Sequence, residues 1–157
     1  ITQDFRPMLT IKRTTSDDAD FQQLVAHLDK YLSIIDGDEH AFYAQYNKID
    51  TLRNAVVCYE DTVPLGCGAF KAYDTKSVEI KRMYVVPESR GKGIAGLILK
   101  ELENWAAELN YQEAVLETGK KQTDAVHLYH KSGYTIIPNY GQYESVENSV
   151  CMQKIIG

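Results

Sequence analysis

Between Val86 and Gly96 the chain reads VPESRGKGIAG, set between a strand-like run and the strongest amphipathic helix pattern in the sequence. No other segment restricts the fold as much. Gly91 and Gly93 lack a Cβ, so backbone N–H groups there can converge on an anion at a helix N-terminus. Arg90 and Lys92 place full positive charges beside them. Together they describe a pyrophosphate cradle. Gly91-x-Gly93-x-x-Gly96 also matches the dinucleotide-binding spacing, but that pattern wants its first glycine at a strand's end in a parallel βαβ unit, and Pro87 to Arg90 intervene here. A Walker A loop fails because Lys92 is followed by Gly93, with no Ser or Thr. A plain turn is the remaining reading, and two glycines would weaken the first turn of such a helix.

The elements around this loop alternate. Met8–Arg13 alternates apolar and polar residues as a strand does, and Ser16-Asp17-Asp18 offers N-cap chemistry for a helix over about 18–33 with Phe21, Leu24, Val25, Leu28 and Leu32 on one face. Asp36-Gly37-Asp38 leads toward a second helix near 39–48 carrying Phe42, Tyr43 and Tyr46. Strand-like runs at 55–59, 65–73 and 77–86 have short turn-like connections, which predicts an antiparallel meander. A helix from about Gly91 to Leu109 follows, with Ile94, Leu97, Ile98, Leu102, Trp105 and Leu109 as its apolar stripe. A short strand at 114–118, a helix at 123–132 closed by Gly133, and strands at 134–137 and 150–155 complete the order. The fold class predicted is α+β, a mixed, mostly antiparallel central sheet of about six to seven strands flanked by about four helices.

At 157 residues, without an internal repeat or linker, the chain suits one domain spanning 1–157. Its 17 Lys+Arg against 22 Asp+Glu, net −5, argue against a broad phosphate-backbone surface, so no nucleic acid is expected as partner. No apolar run approaches the roughly 20 residues of a membrane span. The opening ITQDFRPMLTIKR has neither a basic nor an apolar signal region, so a cytoplasmic location without membrane is expected. Cys58, Cys67 and Cys151 are odd in number and widely spaced, as reduced thiols would be. His127 and His130 lack a third or fourth ligand nearby, so no metal is expected.

Arg90-Gly91-Lys92-Gly93-Ile94-Ala95 resembles the Arg/Gln-x-x-Gly-x-Gly/Ala hallmark of the GNAT superfamily of acyl-CoA-dependent N-acetyltransferases. Val78-Glu-Ile-Lys-Arg-Met-Tyr-Val-Val-Pro87 looks like that family's fourth strand. Ala125-Val-His-Leu-Tyr129-His-Lys-Ser-Gly-Tyr134 resembles its A-x-x-L-Y-x-x-x-G-F segment, with Tyr134 for the usual Phe. The resemblance implies that strands 4 and 5 splay apart and that acetyl-CoA enters the gap as cosubstrate. The backbone from Met83 through Tyr84 to Val85 would then bond the pantetheine arm as an added strand would. Arg90, Gly91, Lys92, Gly93, Ile94, Ala95 and Gly96 would hold the pyrophosphate. Gln122 stands where many members carry an Asn that contacts the cofactor.

Acetyl transfer to a primary amine needs a base, oxyanion donors and an acid for the departing thiolate. The resemblance points to Glu79 as the base, and on a regular strand Glu79 would share a face with Lys81 and Met83. A surface carboxylate paired with Lys81 or Lys12 is the competing reading of Glu79, with Glu117 or a water as alternative bases. Oxyanion donors are expected in the backbone near Met83–Tyr84. Tyr129 matches the family's helix tyrosine near the cofactor sulfur, and a phenol of ordinary pKa near 10 can donate to a thiolate. Cys67 reads as a buried strand residue rather than an acylated nucleophile, which favours direct attack in a ternary complex.

For the acceptor, Asp36-Gly-Asp38-Glu39-His40 and Tyr140-Gly-Gln-Tyr143 would suit a cationic amine, and the same residues would equally serve as a helix N-cap cluster and a polar hairpin loop. Small amines, amino acids, amino sugars and peptide amino groups all stay open. The contrasting function is a non-catalytic acyl-CoA sensor or interaction module on the same fold. Many relatives pair as homodimers, but no residue pattern here specifies one.

Overall fold

The structure, a computed structural model, describes residues 8–39, 41–43 and 51–157. A seven-stranded sheet in the order β1-β2-β3-β4-β5-β7-β6 forms its centre. The strands are β1 (Leu9–Thr14), β2 (Asn54–Glu60), β3 (Val63–Ala72), β4 (Ser77–Val85), β5 (Glu113–Gly119), β6 (Thr135–Ile137) and β7 (Ser149–Ile155). The helices are α1 (Ala19–Asp36), α2 (Ile94–Glu108) and α3 (Thr123–Lys131). Residues 41–43 are also helical and Glu39 ends a short 3-10 turn over Gly37–Glu39; His40 and residues 44–48 of the helix expected near 39–48, Tyr46 among them, lie outside the described residues. The predicted mixed sheet is the one observed.

Period-two alternation in the central strands feeds two cores. Ala55 and Val57 of β2 and Cys67 and Ala69 of β3 turn to one face, where Phe21, Leu24 and Val25 of α1 cover them. Val56 and Cys58 of β2 turn to the other, where Ile94, Ile98, Leu99 and Leu102 of α2 join Val78 and Ile80 of β4. A strand covered on both faces must be apolar in successive residues, as Ala55–Cys58 is. Gly68 allows the close approach of α2, since a Cβ there would lie 2.5 Å from Met83 Sδ and 2.9 Å from Leu102 Cδ1.

The expected cap of α1 is Asp18, whose carboxylate accepts from the N–H groups of Asp20 at 2.9 Å and Phe21 at 3.1 Å. The same carboxylate pairs with Lys12 at 2.7 Å, so Lys12 does not serve Glu79. The helix outruns its expected end near 33 and stops at Gly37, where φ is +54°. α2 begins later than the glycine loop suggested, because Gly91 and Gly93 take φ of +79° and +80°, outside the right-handed helical region.

Two features of β4 shape the site. It runs parallel to β5 through only three register pairs, Ser77↔Glu113, Val78↔Ala114 and Glu79↔Val115, after which the strands part. It also carries a bulge, where the β3 register jumps from Ala69↔Lys81 to Cys67↔Tyr84 and Arg82 takes φ +61°. The extra residue reverses the facing of everything after it. Val78 and Ile80 face α2 before the bulge, whereas Met83 packs on that core after it and Tyr84 turns to the α1 core. The expectation that Glu79 shares a face with Met83 is therefore corrected: Glu79 and Lys81 lie on the opposite face, because β4 is not regular.

Candidate active site

The divergence of β4 and β5 opens a cavity of about 120 Å³ bounded by α1, β4, β5 and α3. Glu79, Lys81, Arg82 and Met83 of β4, Glu117 of β5, and Gln122 and Tyr129 at α3 line it. Leu28, Leu32 and Asp36 of α1 close one side, with Tyr43 and Tyr143 beyond. Glu79, Tyr129, Met83 and Gln122, all singled out in the sequence, are thus brought together. Val85 and the Arg90–Gly96 loop do not line it; they follow Met83 along the chain from β4 into α2.

Beyond the pairing, one edge of β4 is left without a strand partner. The Val86 N–H donates to the Leu65 carbonyl of β3 at 2.9 Å, so alternation turns the backbone groups of Val85 and Met83 toward the opened side. Arg90 Nε already donates to the Val85 carbonyl at 2.9 Å. Its guanidinium also lies 5.2 Å from the Tyr31 ring and 5.6 Å from the Tyr84 ring. Arg90 therefore braces the loop against α1 instead of standing as an isolated charge.

Gly91, Lys92 and Gly93 are exposed ahead of α2, and Gly93 gives α2 no side-chain cap. The first N–H groups of the helix, from Ile94 to Gly96, so keep their donors for an external anion. A pyrophosphate fits a loop held open at positive φ before an uncapped fifteen-residue helix.

The two carboxylates differ in their surroundings. Glu79 is 4% exposed, and both its oxygens are engaged. Oε2 accepts the Tyr140 hydroxyl at 2.6 Å, while Oε1 lies 3.7 Å from Lys81 Nζ and 4.0 Å from Lys71 Nζ. The competing surface-carboxylate reading is half right: the Lys81 pair exists, but inside the protein. Burial lowers the Lys81 pKa despite the attraction of Glu79.

Glu117 has no cation within ion-pair distance among the described residues, and its Oε2 accepts the Ser149 hydroxyl at 2.7 Å. Burial raises its pKa to about 7, and the charges of Asp36 and Glu79 add to the rise. Tyr129 is 7% exposed and packs edge-on against Tyr134, ring centroids 5.9 Å apart. Burial first, and the Glu117 charge second, raise its phenol well above the ordinary range, so it stays protonated at neutral pH.

The sequence analysis gave no role to Arg82, Tyr43, Ser149 or the Tyr140–Glu79 contact. Arg82 Nη1 pairs with Asp29 of α1 at 2.8 Å, and its Nη2 is buried without a partner among the described residues. A signal for the bulge was present: apolar positions fall at 78 and 80 and then at 83 and 85, a change of parity. The Asp36–His40 cluster is divided, with Asp36 buried at the cavity, Asp38 exposed, and His40 outside the described residues. No group of three or more His, Cys, Asp or Glu that could hold a metal occurs among the described residues.

A loop at positive φ before an uncapped helix, a bulged fourth strand and a splay leading to a buried carboxylate and a buried tyrosine are features of an acyltransferase fold of one kind. The chain belongs to the acetyltransferase (GNAT) family, whose model matches residues 20–134. It is 33% identical over 152 residues to a protein of Azospirillum brasilense named IAA acetyltransferase, covering 94% of this chain and 98% of that one. A Klebsiella pneumoniae protein assigned as an acyl-CoA N-acyltransferase superposes with a TM-score of 0.80 at 28% identity, covering 96% of this chain and 99% of that one. A GNAT family acetyltransferase of Elizabethkingia anophelis, solved with acetyl-CoA bound, shares the fold with a TM-score of 0.68 at 19% identity, over 94% of this chain and 97% of that one.

Proposed function

We propose that residues 1–157 act as one catalytic domain, an N-acetyltransferase that moves acetyl from acetyl-CoA to a primary amine by direct attack in a ternary complex. The observation that carries the reading is the parting of β4 and β5 directly after Glu79↔Val115, which opens a cavity lined by Glu117 and Tyr129. Acetyl-CoA in the Elizabethkingia neighbour supports the choice of donor. The backbone of Met83, Tyr84 and Val85 is assigned to the pantetheine arm. Arg90 through Gly96 is assigned to the pyrophosphate, and Gln122 to the rim. Three buried, unpaired cysteines suit a reducing cytoplasmic setting.

When bound, acetyl-CoA supplies the thioester carbonyl. Of the two carboxylates, Glu117 meets the requirements of a base better, because a base must be ionised in part, yet basic enough to take an ammonium proton. A group titrating near 7 does both, whereas Glu79 has both oxygens committed to partners. Glu117 takes one ammonium proton, and the freed nitrogen lone pair forms the N–C bond. As the C–S bond breaks, Tyr129 gives its proton to the thiolate, and the second nitrogen proton restores the phenol. Backbone N–H groups near Met83–Tyr84 are assigned to the oxyanion. Buried carboxylates and tyrosines suit a cationic amine as acceptor.

Calorimetric titration with acetyl-CoA, NADH and ATP, on wild type and Gly93→Glu, tests the donor site. Selective acetyl-CoA binding, lost in the variant, is expected, followed by thiol release with at least one member of an amine, amino-acid, amino-sugar and peptide panel. A folded wild type that ignores acetyl-CoA would overturn the reading. Binding without transfer to any acceptor would favour the acyl-CoA sensor.

A further inference from the structure

We propose that Asn148, Tyr43 and Ser149 form a one-way chain of donors that orients Glu117 and leaves its Oε1 as the oxygen that takes the acceptor's proton. The inference rests on the acetyltransferase reading above for the identity of that proton, and on geometry for the chain itself.

Ser149 opens β7 opposite Gly119 of β5, two pairs along from Glu117↔Cys151 and so on the same face. Glycine opposite leaves room for the serine to lean toward its diagonal neighbour, and its hydroxyl reaches Glu117 Oε2 at 2.7 Å. Ser149 is 3% exposed and Tyr43 is 5% exposed, so both must find partners within the protein. Tyr43 Oη lies 3.1 Å from Ser149 Oγ, and Asn148 Nδ2 donates to Tyr43 Oη at 3.3 Å. Asn139 fixes the segment, with Nδ2 donating to the carbonyls of Val146 at 3.0 Å and Ser149 at 3.1 Å.

The direction follows from counting protons. An ionised carboxylate only accepts, so Ser149 donates to it, and the serine oxygen then accepts from Tyr43. Tyr43 in turn accepts from Asn148, whose amide nitrogen can only donate. A proton arriving on Glu117 Oε2 would meet the serine proton head-on. Relieving that clash would need Ser149 to turn toward a Tyr43 oxygen already receiving a donor. Oε1 carries no such conflict. Ser149 is thus a positioning residue that also stabilises the ionised form of the base.

Asp36 of α1 and Glu79 of β4 oppose the ionisation of Glu117, and Lys81 of β4 favours it. Tyr129 of α3, and Tyr43, Tyr143 and Cys151 around β7, all have raised pKa values and are neutral near pH 7. Ser149 supplies the hydrogen bond that draws the Glu117 pKa down.

The test is a carbon-13 NMR titration of protein labelled at glutamate side-chain carboxyls, with the Glu117 signal assigned by its loss in Glu117→Gln. Ser149→Ala is expected to move that titration to higher pH by about half a unit or more. Ser149→Thr, which keeps the hydroxyl, should restore it, and Tyr43→Phe should move it the same way by less. The acid limb of kcat/KM for acetyl transfer should shift with the NMR signal. A Glu117 titration unmoved in folded Ser149→Ala overturns the proposal. Should that variant not fold, an unmoved titration in Tyr43→Phe together with a moved one in Ser149→Thr overturns it equally. A shifted titration in a protein that acetylates nothing refutes the transferase reading and leaves the donor chain standing.

Discussion

The Tyr140 hydroxyl donates to Glu79 Oε2 at 2.6 Å, tying the loop after β6 to β4 at the last residue before β4 and β5 separate. With Lys81 and Lys71 at the other oxygen, Glu79 is held as an anchor for that loop. Burial and the Glu79 charge keep the Tyr140 phenol protonated far above neutral pH, so the contact persists through the working range.

This arrangement ranks the two carboxylates. Glu117→Gln is expected to lower kcat/KM at pH 7 by about 10²–10³-fold, the usual worth of a general base. Glu79→Gln keeps a hydrogen-bonding oxygen for Tyr140 and should cost about tenfold or less. Thiol release at saturating acetyl-CoA measures both, and the reverse ranking would return the base to Glu79.

The pH profile carries a second signature. With Glu117 titrating near 7, kcat/KM should rise from the acid side through about pH 7 and then level. The limb should be absent in whatever activity Glu117→Gln retains. A wild-type profile flat from pH 5.5 to 8 would remove Glu117 from the reaction.

Stability should mirror the same group. Glu117 has an ordinary pKa of 4.5 and a folded value of about 7, so the folded chain binds more protons between those limits. Its contribution to stability is full below pH 4.5 and is lost as pH rises through 7. Glu117→Gln removes a charge that is costly to bury, and should raise the urea midpoint at pH 8 by an amount worth about 1–3 kcal/mol. The gain should vanish near pH 4. An equal effect at both values would show that the carboxylate is not strained by burial.

Tyr129→Phe removes the proposed acid without emptying its place beside Tyr134. A fall in kcat of about 10²-fold with acetyl-CoA affinity within twofold is expected. Calorimetry and steady-state kinetics on one preparation separate the two terms. Unchanged kcat would reassign the thiolate's proton to water.

A purely structural network makes a further prediction. Glu103 of α2 is 3% exposed and accepts the Tyr134 hydroxyl at 2.9 Å and Lys154 Nζ at 2.8 Å, joining α2 to β7. Here the family's usual Phe is replaced by a tyrosine that serves a buried carboxylate. Tyr134→Phe should leave that carboxylate under-satisfied and lower stability by about 1–3 kcal/mol in urea denaturation, with kcat little affected.

Much of this was legible along the chain. The unbroken apolar run at 55–58, the alternation at 78–80, the helical stripe on Ile94, Ile98 and Leu102, and glycines at 91 and 93 are local patterns that specify strand, helix and loop. Helix ends were less legible, because α1 is stopped by Gly37 at positive φ and α2 is delayed by two such glycines. The bulge at Arg82 left a parity change in the sequence, yet a strand's register depends on its partner β3.

The amino-acid order alone determined which segments become strands and helices, where the glycine loop ahead of α2 sits, and which residue types could serve as acid and base. These follow from side-chain periodicity and from glycine's backbone freedom, which act over a few neighbouring residues. Tertiary structure decided how the surroundings of two carboxylates differ. Glu79 and Glu117 are chemically the same side chain, 38 positions apart. Folding brings Tyr140, Lys81 and Lys71 to the first, and gives the second the Ser149 hydroxyl, the nearby charges of Asp36, Glu79 and Lys81, and burial. A pKa is set by burial and by charges a few ångströms away, and those neighbours come from strands and loops far along the chain.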